Sequence, residues 1–138
     1  MSDRRRLRLD DLGRALDRFD EALAVPRDAP LAVDGTVRRF EFSFELAWKA
    51  IKDALAAEGI EEQTPRSVLR AAFAAGWLPD ETAWLDMLDD RNLTSHTYEE
   101  ALALALYGRL GAHAATLRAV YVVLRRRSES PPSGDDPF

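Results

Sequence analysis

The sequence contains no cysteine and no long hydrophobic segment, and these two absences exclude several classes of protein. Without cysteine there is no disulfide framework and no thiolate chemistry. No apolar run reaches the roughly 18 residues that a membrane-spanning helix requires. The N-terminal segment 1–10 is charged but no apolar stretch follows it, so we expect no secretory signal. A cytoplasmic protein without a membrane anchor fits these features.

Positive charge is also in short supply. The 19 Lys and Arg residues are outnumbered by 24 Asp and Glu residues, which gives a formal net charge of −5. Because affinity for nucleic acid comes mainly from cationic contacts with phosphates, this balance argues against broad nucleic-acid binding but allows a local site. Basic residues cluster near both ends of the chain, whereas the stretch 80–90 is acidic and would repel RNA.

The length and composition are those of one globular domain. The chain has 138 residues, of which 46% are hydrophobic and 31% are charged. The last segment, SESPPSGDDPF, has too few apolar residues to offset the entropy lost on ordering it. We therefore predict a helical bundle domain over residues 1–127 and a disordered tail over residues 128–138.

Apolar residues recur at spacings of three and four, which is typical of amphipathic helices, and we find no alternating strand pattern. Thr64 and Asp80 have the sequence context of helix N-caps. The predicted helices begin near residues 10, 37, 65, 81 and 97, and the last one carries a long apolar seam. The predicted fold class is all-α: an up-and-down four-helix bundle with an additional short helix, the one that begins at Pro65.

The polar segment 91–98, RNLTSHTY, contains the residues best able to carry chemistry. On one straight helix Arg91 and His96 would point about 140° apart, so they share a site only if the helix ends between them. Thr97 and Glu100 have the spacing of a capping box, which predicts that the last helix starts at Thr97, with Tyr98 as its first residue. Such an N-terminus attracts phosphate, Arg91 would bind phosphate oxygens, and His96 would exchange a proton with a ribose 2′-hydroxyl.

The same segment also has an ordinary structural interpretation. Arg91 follows Asp89 and Asp90 in the sequence and would then be a solvated surface charge. Ser95 and His96 would be loop and capping residues. The spacing of these residues alone leaves both interpretations open.

One histidine and one polar stripe elsewhere in the chain also have ordinary structural interpretations. His113 lies on the apolar seam of the last helix, where a hydrogen-bonded core histidine is the usual finding; with two histidines and no cysteine, we predict no metal site and no cofactor. A second polar feature is a stripe on one helix face, which is usually solvated and weakly ion-paired; it consists of Glu41, Glu45 and Lys49. If that stripe borders segment 91–98, Lys49 is a candidate contact for an RNA phosphate.

Three motifs occur in an order that is typical of one protein family. The segment RNLTSHTY fits the pattern Arg, any four residues, His, any residue, Tyr. FEFSFELAWK at 40–49 is similar to a signature second helix, and VLRAAF at 68–73, followed by Gly76, is similar to a short helix after it. Together, over roughly residues 8 to 125, the chain resembles HepT-like proteins of the HEPN superfamily, long described as nucleotidyltransferase substrate-binding proteins.

This resemblance implies a metal-independent ribonuclease toxin whose antitoxin partner is a minimal nucleotidyltransferase. Arg91 and His96 would form the catalytic pair, and Tyr98 would receive the AMP with which the partner silences the nuclease. One histidine cannot easily act as base and acid on opposite sides of a phosphorus, so we expect a homodimer that brings two copies of the segment together. The possible RNA-binding residues are Lys49, Asn92 and Ser95.

A second function is compatible with the same family. The chain would then be a non-catalytic subunit that binds substrate for a nucleotidyltransferase complex. The acidic stretch 80–90 favours this alternative, because it would have to be offset before RNA could bind. The intact set of Arg91, His96 and Tyr98 favours the ribonuclease.

Overall fold

The computed structural model describes residues 3–129, and every regular element in that range is helical. The prediction of an all-α bundle is confirmed. None of these helices is long and apolar enough to cross a membrane. The elements are α1 (Asp3–Ala24), α2 (Ala32–Ala56), α3 (Pro65–Ala74), α4 (Glu81–Leu93), a 3₁₀ turn (Thr94–His96) and α5 (Glu100–Glu129).

Contacts between paired residues show how the helices run. The Thr36 hydroxyl near the start of α2 donates to the Ala22 carbonyl near the end of α1, 3.4 Å away. Arg8 near the start of α1 pairs with Asp53 near the end of α2, at 2.9 Å. These two helices are therefore antiparallel. Helix α5 packs on both of them, α4 packs on α5, and α3 is the additional short helix, which contacts α2 and α4.

Four aromatic rings join three of the helices in the core. Phe19 of α1, Phe40 and Phe44 of α2, and Trp84 of α4 are at most 1% exposed. Successive ring centroids lie 6.2, 6.2 and 6.3 Å apart in tilted arrangements. Such pairs contribute about 0.5–1.5 kcal/mol each beyond the burial of their surface. The seam predicted for the last helix is buried as expected, at Ala103, Leu106, Leu110, His113, Leu117, Val120 and Leu124.

Both predicted N-caps are present. The Thr64 hydroxyl accepts a hydrogen bond from the Ser67 amide, and Pro65 occupies the first turn of α3. The Asp80 carboxylate accepts from the Ala83 amide at 3.1 Å and opens α4. These bonds satisfy amides that the first turn of a helix otherwise leaves unpaired. Gly76, with φ of 84°, follows α3 in the left-handed conformation that glycine tolerates best.

The starts of α1 and α2 and the end of α5 differ from the prediction, as does the start of α5, which is described with the functional site. Helix α1 begins at Asp3 rather than near residue 10, because Arg4 and Arg8 on its added turns pair with Asp53 of α2. Helix α2 begins at Ala32, one turn before residue 37. Helix α5 continues to Glu129, two residues beyond the predicted domain boundary at 127. The rest of the predicted disordered tail, residues 130–138, lies outside the described residues.

Candidate functional site

Helix α4 ends within the segment that carries the candidate residues. The Thr94 hydroxyl donates to the Arg91 carbonyl at 2.7 Å, and the Thr97 hydroxyl donates to the Thr94 carbonyl at 3.2 Å. These side chains satisfy carbonyls that the last turn of a helix leaves unpaired. The helix therefore stops between Arg91 and His96, as the sequence predicts. We call residues 91–99 the α4–α5 junction.

The predicted start of the last helix at Thr97 is wrong. Helix α5 begins at Glu100. Thr97 has helical backbone dihedrals, with φ of −73° and ψ of 0°, whereas an N-cap residue typically has an extended backbone. Its hydroxyl donates back to the Thr94 carbonyl, and the Ala103 amide donates to the Glu99 carbonyl at 3.0 Å. Tyr98 therefore lies in the turn that precedes α5 and is not its first residue. The capping-box spacing was present, but the 3₁₀ turn after α4 ends at Thr97 and keeps its backbone in the helical region.

His96 and Tyr98 extend from the junction into solvent. Tyr98 is 78% exposed, and His96 is also exposed. Their ring centroids lie 6.2 Å apart with the edge of one ring toward the other. The other two tyrosines, Tyr107 and Tyr121, pack against the core. Tyr98 is thus the tyrosine hydroxyl that another protein reaches most easily.

Arg91 occupies the last turn of α4 and is held by a residue of α2. Its Nη2 donates to the Glu45 carboxylate, and Lys49 Nζ lies 3.4 Å from the same carboxylate. Its Nη1 lies 3.5 Å from Asn92 Oδ1. The polar stripe that includes Glu45 and Lys49 therefore borders the junction, although such a stripe is usually just a solvated helix face. Arg91 is a paired, partly buried group rather than a free surface charge, with a side chain 35% exposed.

Glu45 is the functional candidate that sequence reasoning missed. It lies 46 residues before Arg91, and nothing in the local pattern around either residue links them. The only available signal was the direction in which the second helix turns its polar stripe. The structure gives Ser95 no such partner from another helix: its hydroxyl donates to the Asn92 carbonyl at 3.4 Å within the junction.

Asp90, next to Arg91, is buried and fixes α4 to α5. Its carboxylate accepts hydrogen bonds from Arg109 Nε and Nη2, both at 2.8 Å, and contacts His113 Nε2 at 2.7 Å. Burial alone would raise the pKa of Asp90, but the hydrogen bonds from Arg109 and His113 outweigh it and lower the pKa. Because an ionised carboxylate only accepts, His113 Nε2 carries the proton in this contact. The His113 ring also stacks on Phe40, with centroids 5.3 Å apart.

This cluster corrects the interpretation of the acidic stretch. Asp90 was counted among the surface charges that would repel RNA, yet it is 6% exposed and paired with a cation. Asp86 and Asp89 remain exposed, and Asp89 lies 3.8 Å from Arg66 of α3. The electrostatic potential at the junction is therefore less negative than the number of acidic residues in the stretch 80–90 indicates. Within residues 3–129, no three His, Asp or Glu side chains are grouped to hold a metal ion.

The fold and the junction define an all-α bundle that presents an Arg, a His and a Tyr where its last two helices meet. A family model described as nucleotidyltransferase substrate binding protein like matches residues 7–126. The chain belongs to this family, and the resemblance to HepT-like proteins is confirmed.

One curated relative and two solved structures illustrate the match. The chain is 33% identical over 97 residues, 67% of its length, to a Haemophilus influenzae protein named Probable ribonuclease HepT; the match spans 65% of that relative, just under two thirds. A crystal structure of a Thermus thermophilus protein is 38% identical with a TM-score of 0.79, covering 83% of this chain and 99% of that one. The second solved structure, from Haemophilus influenzae, is described as the fold of a substrate-binding domain of a nucleotidyltransferase. It is 25% identical with a TM-score of 0.77, covering 85% of this chain and 98% of that one.

Proposed function

We propose that the chain is the ribonuclease toxin of a toxin–antitoxin pair and cleaves RNA at the α4–α5 junction without a metal ion. The observation that carries this proposal is the junction itself: an exposed imidazole, an exposed tyrosine and a restrained guanidinium lie within eight residues of chain. The name of the curated HepT relative supports the same activity. Lys49 contacts the same Glu45 carboxylate as Arg91 and supplies a second cation for phosphate.

The chemistry follows from these groups. The imidazole of one His96 takes the proton of a ribose 2′-hydroxyl while the 2′-oxygen bonds to the adjacent phosphorus. The bond from phosphorus to the 5′-oxygen breaks, and an imidazolium on the other side donates a proton to that oxygen. Arg91 stabilises the negative charge that develops on the phosphoryl oxygens. The products are a 2′,3′-cyclic phosphate and a 5′-hydroxyl, so atoms and charge balance without another reactant.

This mechanism requires two histidines, and a homodimer would supply them. A two-fold axis near the junction would place two copies of His96 on opposite sides of one phosphate. The outer face of α5 offers an apolar surface for that association, since it is exposed along most of its length and grooves of about 380 and 570 Å³ lie beside it. The exposed residues on this face recur at spacings of three and four: Ala101, Ala105, Gly108, Ala112, Ala115, Ala119 and Val122.

Tyr98 would serve as the switch. A partner nucleotidyltransferase would transfer AMP from ATP to Tyr98, the phenolic oxygen attacking the α-phosphorus and pyrophosphate leaving. The added phosphate and nucleoside would stand beside His96, whose ring already contacts that of Tyr98. The negative charge and the size of the added AMP group would then exclude an RNA phosphate from the junction. The high exposure of Tyr98 supports this assignment.

The test combines growth with intact mass. The wild-type chain and His96→Ala are expressed alone and together with the proposed nucleotidyltransferase partner. We expect growth arrest that requires His96, relief by the partner, and mass increments of AMP that are lost in Tyr98→Phe but kept in Tyr107→Phe. Arrest by His96→Ala as strong as by the wild type would refute the catalytic assignment.

A second candidate is a non-catalytic subunit that presents substrate to a nucleotidyltransferase. The solved Haemophilus influenzae relative is described in such terms, and the exposed Asp86 and Asp89 do not favour RNA. In that case the wild type would cause no arrest and carry no AMP, yet would copurify with the partner. Arg91 and His96 would then be interface residues, and substituting them would weaken the complex.

A further inference from the structure

The ion pair between Glu45 and Arg91 restrains only part of the guanidinium. Arg91 Nη2 donates to Glu45, whereas Nη1 has only the long 3.5 Å contact with Asn92. Arg91 Nε makes no hydrogen bond with any of residues 3–129. Because the guanidinium is a rigid planar fork with five N–H donors, holding one corner restricts the directions that the others can take. Several donors therefore stay available at a defined orientation.

The charges around Glu45 decide whether this contact orients Arg91 or blocks it. Glu45 is shared between Arg91 and Lys49, whose Nζ lies 3.4 Å away. Two cations and one carboxylate leave a net charge of +1, which still attracts phosphate. The Glu45 and Arg91 side chains are 31% and 35% exposed, so an incoming anion can reach them. Glu45 thus restrains the guanidinium without cancelling its attraction for RNA.

We infer that Glu45 is a positioning residue, which holds one corner of the Arg91 guanidinium so that the remaining N–H donors meet the scissile phosphate. The inference rests on the proposed ribonuclease function and adds a residue of α2 to it. Without Glu45, the long Arg91 side chain would lose rotamer freedom at every turnover. A catalytic group displaced by about 1 Å can cost on the order of 100-fold in rate.

The first test is steady-state cleavage of a labelled single-stranded RNA by Glu45→Ala and Glu45→Gln. We expect kcat of Glu45→Ala to fall about tenfold or more, with KM unchanged or lower because a negative charge is gone. Glu45→Gln keeps an acceptor for Arg91 and should recover part of kcat. The matched control is Glu41→Gln, one turn earlier on α2, since Glu41 makes no ion pair within residues 3–129. Wild-type kcat in Glu45→Ala, or a higher kcat/KM, would overturn the inference.

A double-mutant cycle separates positioning from an independent effect. If Glu45 acts through Arg91, Glu45→Ala should cause no further loss of activity in the Arg91→Ala background. A full additional loss would refute the claim. Circular dichroism checks that each variant folds; if Glu45→Ala does not, Glu45→Gln takes its place.

An NMR readout keeps this claim distinct from the proposed function. Rotation of the Arg91 guanidinium should be slow in the wild type and fast in Glu45→Ala, whether or not RNA is cleaved. A wild-type protein that cleaves no RNA, but shows the expected difference in rotation, would refute the ribonuclease proposal and leave the restraint of Arg91 by Glu45 standing. Equal mobility of Arg91 in the two proteins would refute the positioning role alone.

Discussion

Removing the charge of Asp90 should measurably destabilise the bundle. In Asp90→Asn the side chain keeps its shape but has one acceptor oxygen instead of two, and its NH2 group faces an N–H donor of either His113 or Arg109. His113 has a side chain only 10% exposed, so a lost acceptor leaves a buried donor unpaired, at a cost of about 1–3 kcal/mol. The Arg109 side chain is 46% exposed, so water replaces much of its contact and its loss adds only about 0–1 kcal/mol.

These contributions predict a loss of about 1–4 kcal/mol in the free energy of unfolding, or roughly 4–16 °C in Tm for a chain of this size. Urea denaturation followed by tryptophan fluorescence measures it. The matched control is Asp89→Asn, whose side chain is 67% exposed and 3.8 Å from Arg66, and which should change stability by less than about 0.5 kcal/mol. A stability within that margin for Asp90→Asn would refute our account of the cluster.

The difference in stability between the wild type and Asp90→Asn should depend on pH in a definite direction. The pKa of Asp90 in the folded protein lies below its ordinary value of 3.8. Its ionised form therefore stabilises the native state fully above that ordinary value, and the contribution is lost as the pH falls toward the folded pKa. The difference between wild type and Asp90→Asn should be largest near neutral pH and should narrow below about pH 4.

Three smaller predictions concern local geometry. In Gly35→Ala the added Cβ meets no atom within 4 Å, so the variant should stabilise α2 by about 0.5–1 kcal/mol. In Gly13→Ala the added Cβ lies 2.7 Å from Tyr121 Oη, so the clash should cancel the stabilisation that alanine gives a helix. Thermal unfolding of the two variants measures the difference. Thr64→Ala removes the cap of α3 and should cost about 1 kcal/mol, measured by urea denaturation; no change would mean the cap is dispensable. Asp80→Ala should cost a similar amount at the start of α4, and an unchanged midpoint would contradict the role of that bond.

The parts of the fold that depend on near neighbours could be predicted from the sequence. The seam of α5 repeats at helical spacing, and the N-caps at Thr64 and Asp80 act on amides three residues away. The end of α4 before His96 follows from the same kind of local signal. Thr97 shows the limit of this reasoning, because its spacing to Glu100 fits a capping box but the turn that ends α4 holds its backbone in the helical region.

The site depended on contacts between residues far apart in the chain. Glu45 meets Arg91 across 46 positions, and Asp90 meets Arg109 and His113 across 19 and 23. Such pairs form only once the helices pack, so composition placed Asp90 on the surface and Glu45 on a solvated face. The assignment of Arg91, His96 and Tyr98 came from family resemblance, and their roles stay predictions.

The central claim is that the α4–α5 junction cleaves RNA. The most direct measurement is cleavage of a labelled single-stranded RNA by the purified chain in the presence of a metal chelator. We predict a product with a 2′,3′-cyclic phosphate, formed by the wild type, strongly reduced but still measurable in folded Arg91→Ala, and lost in folded His96→Ala and in protein carrying AMP on Tyr98. No cleavage by the wild type, or cleavage that persists without His96, would contradict the account.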